Sequence, residues 1–79
     1  MSQLILYFQP DCHLCDDAEI LMHQCGMGER YRKVDIEDDL ELLKRYGIHV
    51  PVLQREGDQE ELFWPFDAAE LSAFVGDGV

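Results

Sequence analysis

Cys12 and Cys15 stand two residues apart in the stretch Gln9-Pro10-Asp11-Cys12-His13-Leu14-Cys15-Asp16-Asp17. Two thiols at this spacing on a first helical turn can close a small disulfide ring and exchange it with another disulfide. The attacking species is the thiolate, so whatever favours thiolate over thiol favours the chemistry. A helix N-terminus does so, through free N–H groups and partial positive charge. His13, protonated or donating, adds to that effect and is a candidate contact for a substrate. Asp11, Asp16 and Asp17 oppose it, since each unit charge a few ångströms away is worth roughly 1 to 4 kcal/mol before screening. This balance predicts a Cys12 less acidic than the thiol of a strongly oxidising protein, and a pair that acts as a reductant or a slow exchanger.

Other readings compete at the same residues. Cys12, His13, Cys15 and His23 offer enough ligand types for zinc, but a closed structural site needs four convergent ligands. His13 lies between the cysteines, His23 falls two turns along the helix, and no second Cys-x-x-Cys exists; no metal is expected. Covalent haem attachment needs Cys-x-x-Cys-His, and residue 16 is Asp. Cys25 falls on an apolar stripe and reads as a small core residue rather than a third redox group.

The elements that position the pair follow from the flanking pattern. Leu4 to Phe8 is continuously apolar, as in a central strand covered on both faces. Leu14, Ala18, Leu21, Met22 and Cys25 have helical spacing, so a helix runs from about Cys12 to Cys25 and stops at Gly26 and Gly28. Tyr31 to Ile36 alternates, as an edge-side second strand, which makes a right-handed βαβ unit with parallel strands. Asp38 and Glu41 match a capping box for a second helix with Leu40, Leu43 and Tyr46 on one stripe, ending at Gly47. Val50 to Arg55 is a third strand with Pro51 near its start, where a missing N–H matters least. Glu56-Gly57-Asp58 is a tight turn into an antiparallel fourth strand, about Glu60 to Trp64. Asp67 and Glu70 match another capping box, opening a third helix with Leu71, Phe74 and Val75 inward and Gly76 and Gly78 at its end. Phe63, Trp64 and Phe66 are expected to cap the core. The order β-α-β-α-β-β-α predicts an α/β fold, a mixed four-stranded sheet with helices on both faces.

Composition narrows the partners. The chain has 79 residues, read as a single domain spanning 1–79, with 47% hydrophobic side chains and a formal net charge of −11. Such acidity argues against nucleic acid or an anionic membrane, permits a basic protein partner, and aids solubility. No stretch has transmembrane length and no secretory leader is recognisable, so a cytoplasmic location is expected. Three cysteines, two of them in Cys-x-x-Cys, suit a reducing compartment and a catalytic pair better than a disulfide scaffold.

This order, with Cys12-His13-Leu14-Cys15 at the first helix and Val50-Pro51 at the third strand, resembles the thioredoxin fold in its smallest version, the glutaredoxins. It is most similar to the small bacterial glutaredoxin-like proteins, which carry Cys-x-Leu-Cys and Val-Pro at these places. The resemblance implies Cys12 as the attacking and Cys15 as the resolving cysteine. It implies a cis bond before Pro51, with Val50 presenting its backbone N–H and C=O to an extended substrate, and Asp67 as a holder of glutathione's amino group. Three departures stand out: Phe8-Gln9-Pro10-Asp11 carries no cation before the first cysteine, Trp64-Pro65 replaces a Gly-Gly, and His13-Leu14 replaces Pro-Tyr or Pro-Phe. They count against glutathione as a ligand. No cofactor beyond the redox-active pair is expected.

The function expected is that of a dithiol oxidoreductase acting on a disulfide-containing protein or small thiol, with a reductase or glutathione as electron donor. The alternatives are a redox-sensing binding module with little turnover, and an iron–sulfur carrier.

Overall fold

The computed structural model describes residues 4–28 and 30–77. Its first strand is the continuously apolar run, β1 (Leu4–Phe8), followed by helix α1 (His13–Gln24). β2 (Tyr31–Asp35), a 3-10 turn (Ile36–Asp38) and α2 (Leu40–Tyr46) come next. β3 (Val52–Arg55), β4 (Glu61–Phe63) and α3 (Ala68–Asp77) complete the order. The sheet runs β2-β1-β3-β4. β1 pairs parallel with β2 and antiparallel with β3, and β4 pairs antiparallel with β3. The chain thus has the expected α/β architecture, with β1 interior and β2 at an edge.

Both faces of β1 are covered, which is why it lacks alternation. Leu4 and Leu6 join Ala18 and Met22 of α1 and Leu71 and Val75 of α3 in one core. Ile5 and Tyr7 face the other way, against Ile36, Tyr46 and Val52. Each such fully buried aliphatic side chain contributes roughly 1.5–3 kcal/mol. Cys25 is half-buried against the first core, as expected of a small apolar side chain.

Helix ends are set by short-range chemistry. α1 closes with Gly26 at φ 78°, where the Met27 N–H reaches the Met22 carbonyl at 2.9 Å and the Gly26 N–H that of His23 at 3.0 Å. That pair of bonds is a Schellman closure, and its left-handed position is the reason for glycine there. α3 opens on the expected box: the Glu70 N–H donates to Asp67 Oδ1 at 2.8 Å.

Five local expectations need correction. α2 is capped by Asp39, whose Oδ1 accepts from the Glu41 and Leu42 N–H groups, because Asp38 is wound into the 3-10 turn. Leu40, the first residue of α2, is exposed, and the packed stripe is Leu42, Leu43 and Tyr46. Leu14 is exposed too, standing too early on α1 to reach the sheet. Phe63 is exposed beside His49, so Trp64 and Phe66 cap the first core without it. α3 continues through Gly76; Gly78 lies outside the described residues.

A polar network crosses the α2 face. Tyr7 donates to Gln54 Oε1 at 2.9 Å, Gln54 donates to Glu61, and the Tyr46 hydroxyl donates to the same Glu61 carboxylate. Burial first, and then nearby carboxylate, raises all three phenols, Tyr7, Tyr31 and Tyr46, above the usual 10.0. The fold therefore prefers protonated phenols. Their contribution is complete below pH 10 and is lost as pH rises toward the folded values. In an alkaline titration, tyrosinate absorbance is expected to lag behind that of free tyrosine and then rise together with loss of helical circular dichroism. Independent ionisation of the phenols near 10, with the fold intact, would contradict this packing.

Candidate functional site

The cysteine pair sits where β1 hands over to α1. Pro10 and Asp11 form the turn, and Asp11 takes φ 57°, a left-handed conformation that Asp tolerates better than most residues. Cys12 is the N-cap of α1, and its extended backbone turns Sγ back over the first turn. The sulfur accepts the Cys15 N–H at 3.2 Å, one of the donors a helix start leaves unpaired. Cys12 and Cys15 are joined as a disulfide, with Cα atoms 5.2 Å apart. The two sulfurs differ in access: Cys12 is half-exposed, whereas Cys15 is 2% exposed.

The same N–H that caps the helix favours negative charge on Cys12 once the disulfide opens, and the helix dipole adds to it. His13 Nε2 lies 3.6 Å from Asp17 Oδ2 across one turn, and its side chain is largely exposed. Asp16 follows Cys12 by four residues, on the same side of the helix, and is exposed.

The Val50–Pro51 bond is cis, as is Trp64–Pro65, which the sequence did not announce. Val52 lies opposite Tyr7 in the sheet register, so Val50 and Pro51 precede β3 at the end of the sheet where the cysteine loop leaves β1. Pro51 is buried and its carbonyl accepts the Trp64 N–H at 3.3 Å. The Val50 N–H is not available to a substrate: it donates to the Tyr46 carbonyl at 3.0 Å, because the 46–50 segment closes a turn on itself. Asp67 is exposed at the start of α3, with Oδ1 engaged as a cap. Among the described residues no group of three or more His, Cys, Asp or Glu is arranged to hold a metal ion, and no helix is long and apolar enough to cross a membrane.

The chain thus has a disulfide closing the first turn of a helix and a cis-proline loop at the same end of a 2-1-3-4 sheet. Residues 3–76 match the Glutaredoxin-like domain (DUF836). The chain belongs to this glutaredoxin-like family. It is similar to the crystal structure of the protein XcR50 from X. campestris, with 42% identity, a TM-score of 0.85, and 96% of this chain and 99% of that one covered. The protein Ne2328 from Nitrosomonas europaea is 25% identical at a TM-score of 0.71, covering 92% of this chain and 89% of that one. A glutaredoxin from Brucella melitensis, 22% identical at a TM-score of 0.56 over 99% and 83% of the two chains, shares the fold. No curated protein sequence matches. This glutaredoxin-like chain therefore pairs a thioredoxin-type fold with a Cys-x-x-Cys at bonding distance, which suggests redox function.

Proposed function

We propose that the protein is a small thiol–disulfide oxidoreductase that reduces a disulfide-containing substrate. The observation that carries this reading is the unequal pair: a half-exposed Cys12 sulfur held at the helix N-cap, bonded to a buried Cys15. In the reduced protein, the Cys12 thiolate attacks one substrate sulfur. A Cys12–substrate bond forms, the substrate S–S bond breaks, and the first thiolate leaves. Cys15, deprotonated, then attacks Cys12 Sγ, closing the Cys12–Cys15 disulfide and releasing the second thiolate. Two electrons pass from the dithiol to the substrate, and the two thiol protons end on its two products. An extended substrate segment lies along the Val50–Pro51 loop and donates a backbone N–H to the Val50 carbonyl. A reductase or a low-molecular-weight thiol restores the dithiol, in the reducing cytoplasm that an odd cysteine count suits.

A Cys15→Ser variant tests the order of events. Mixed with a substrate disulfide and no added thiol, it is expected to stop at a stoichiometric adduct on Cys12, visible by intact mass and peptide mapping. Turnover past the adduct, or an adduct on Cys25, would overturn the assignment.

A further inference from the structure

The electrostatics around the pair point to the charge of its substrate, provided the pair reduces disulfides as proposed above. Phe8 is paired with Asp35 in the parallel β1–β2 register, so the segments that follow both strands leave from one end of the sheet. One carries Asp11, Asp16 and Asp17 around the cysteines. The other is the 35–41 segment, Asp-Ile-Glu-Asp-Asp-Leu-Glu, whose acidic side chains outside Asp35 are exposed. Three cations are paired with carboxylates: Arg32 with Glu56 at 3.0 Å, Arg55 with Asp58, and Lys33 with Glu19 at 3.1 Å, although its Nζ also lies 4.5 Å from the centre of the Phe8 ring at the end of β1. Arg30 precedes β2 at the opposite end of the sheet, its carbonyl accepting the Leu4 N–H. Lys44 and Arg45 follow Glu41 on α2 by three and four residues and offset part of the charge of the 35–41 segment, with Arg45 against the Tyr46 ring. This end of the sheet thus carries more exposed carboxylates than cations. Beside the cysteines Leu14 is 48% exposed, and Ile48, in the loop leading to Pro51, is 92% exposed. Apolar side chains in those positions offer contact to a polypeptide.

We propose that Asp11 and Asp16, backed by the acidic 35–41 segment, make the Cys12–Cys15 pair selective for cationic polypeptide disulfides, those flanked by Lys or Arg, and discriminate against anionic disulfides. Like charge at the mouth lowers the local concentration of an anionic substrate and raises that of a cationic one, an effect that salt removes.

The experiment is single-turnover oxidation of the pre-reduced protein, followed by intact mass. The substrates are an uncharged disulfide (hydroxyethyl disulfide), a cationic and an anionic one of similar size (cystamine and dithiodipropionate), and two peptide disulfides flanked by Lys or by Glu. Each rate is divided by that of dithiothreitol with the same disulfide, which removes leaving-group differences. At low salt the cationic member of each pair is expected to react about tenfold faster than the anionic one, and the ratio to fall to about two- or threefold in high salt. The Asp11→Asn/Asp16→Asn variant is expected to show the lower ratio even at low salt; asparagine suits the left-handed backbone at residue 11. A preference for the Lys peptide larger than that for cystamine supports a polypeptide substrate, and an equal one overturns that part. Reaction with hydroxyethyl disulfide but a charge ratio near one overturns the selectivity alone. A ratio that survives in the variant overturns its assignment to Asp11 and Asp16. No reaction with hydroxyethyl disulfide overturns the oxidoreductase reading itself.

Discussion

A Cys12→Ser variant is expected to lose disulfide reduction by about a thousandfold or more, because a serine hydroxyl is scarcely ionised where a thiol is partly thiolate. Cys15 cannot stand in for it. Residue 15 is 2% exposed, so an incoming disulfide has little access to its sulfur. The substitution separates chemistry from folding. Residue 12 is the N-cap, its side chain accepts the Cys15 N–H, and serine is among the preferred residues for that task. The variant should therefore keep the thermal stability of the reduced wild type within about 1 kcal/mol while its activity disappears. Cys25→Ser supplies the control. Residue 25 ends α1, and a helix of that length holds it roughly 18 Å from the first turn, so activity should persist. Reduction by Cys12→Ser at more than a few per cent of the wild-type rate would show that another group carries the reaction.

How far the sequence shows this site depends on the range of the interactions that build it. β1 is legible in Leu4-Ile5-Leu6-Tyr7-Phe8 because burial on both faces leaves no alternation to misread. The Asp67–Glu70 box is legible because its bond spans three residues. The start of α2 is misread by one position for a physical reason. Asp38 and Asp39 are adjacent potential caps, and only the 3-10 turn wound from Ile36 decides between them. Leu43 and Tyr46 stay on the buried face, while Leu40, the first residue of α2, is exposed and Leu42, next to Leu43, packs instead. The fate of the Val50 N–H is hidden similarly, since its acceptor at Tyr46 exists only once the helix end turns back. The Tyr7–Gln54–Glu61–Tyr46 network is beyond local reading: Tyr7 and Gln54 are 47 residues apart and meet only through the register of β1 on β3. The acidic mouth has the same origin. Charge runs around residues 11–17 and 35–41 look like separate solvated stretches until the parallel β1–β2 pairing puts their strands side by side.

Arg55→Ala carries the largest expected loss of stability among single charged side chains, about 2–4 kcal/mol, or a midpoint lower by roughly 10–25 °C. Arg55 ends β3 and is 8% exposed. Its Nη1 donates to the Phe74 carbonyl of α3 at 2.7 Å, and its guanidinium lies 4.7 Å from the centre of the Phe74 ring. Nε and Nη2 grip both oxygens of Asp58 in the β3–β4 turn, at 3.0 and 2.6 Å. One side chain thus ties the hairpin to the last helix, across the packing that covers the first core. Most of the loss comes from the Phe74 carbonyl, the ring contact and the buried stem, because the Asp58 end is half in water and screened. Asp58→Asn is accordingly expected to cost less than Arg55→Ala. The pair also leaves a mark in acid. The hydrogen bonds from Arg55, with that of the Glu60 N–H, hold the Asp58 carboxyl below its usual 3.8. A depressed folded value means that the stabilisation is present above 3.8 and disappears as pH falls through the folded value. Arg55→Met, which keeps an apolar stem but cannot donate, should retain part of the stability and weaken that acid dependence. Denaturant unfolding at neutral pH and near pH 3 measures both effects. Equal stability of wild type and Arg55→Ala would mean that the hairpin and α3 are held by the apolar core alone.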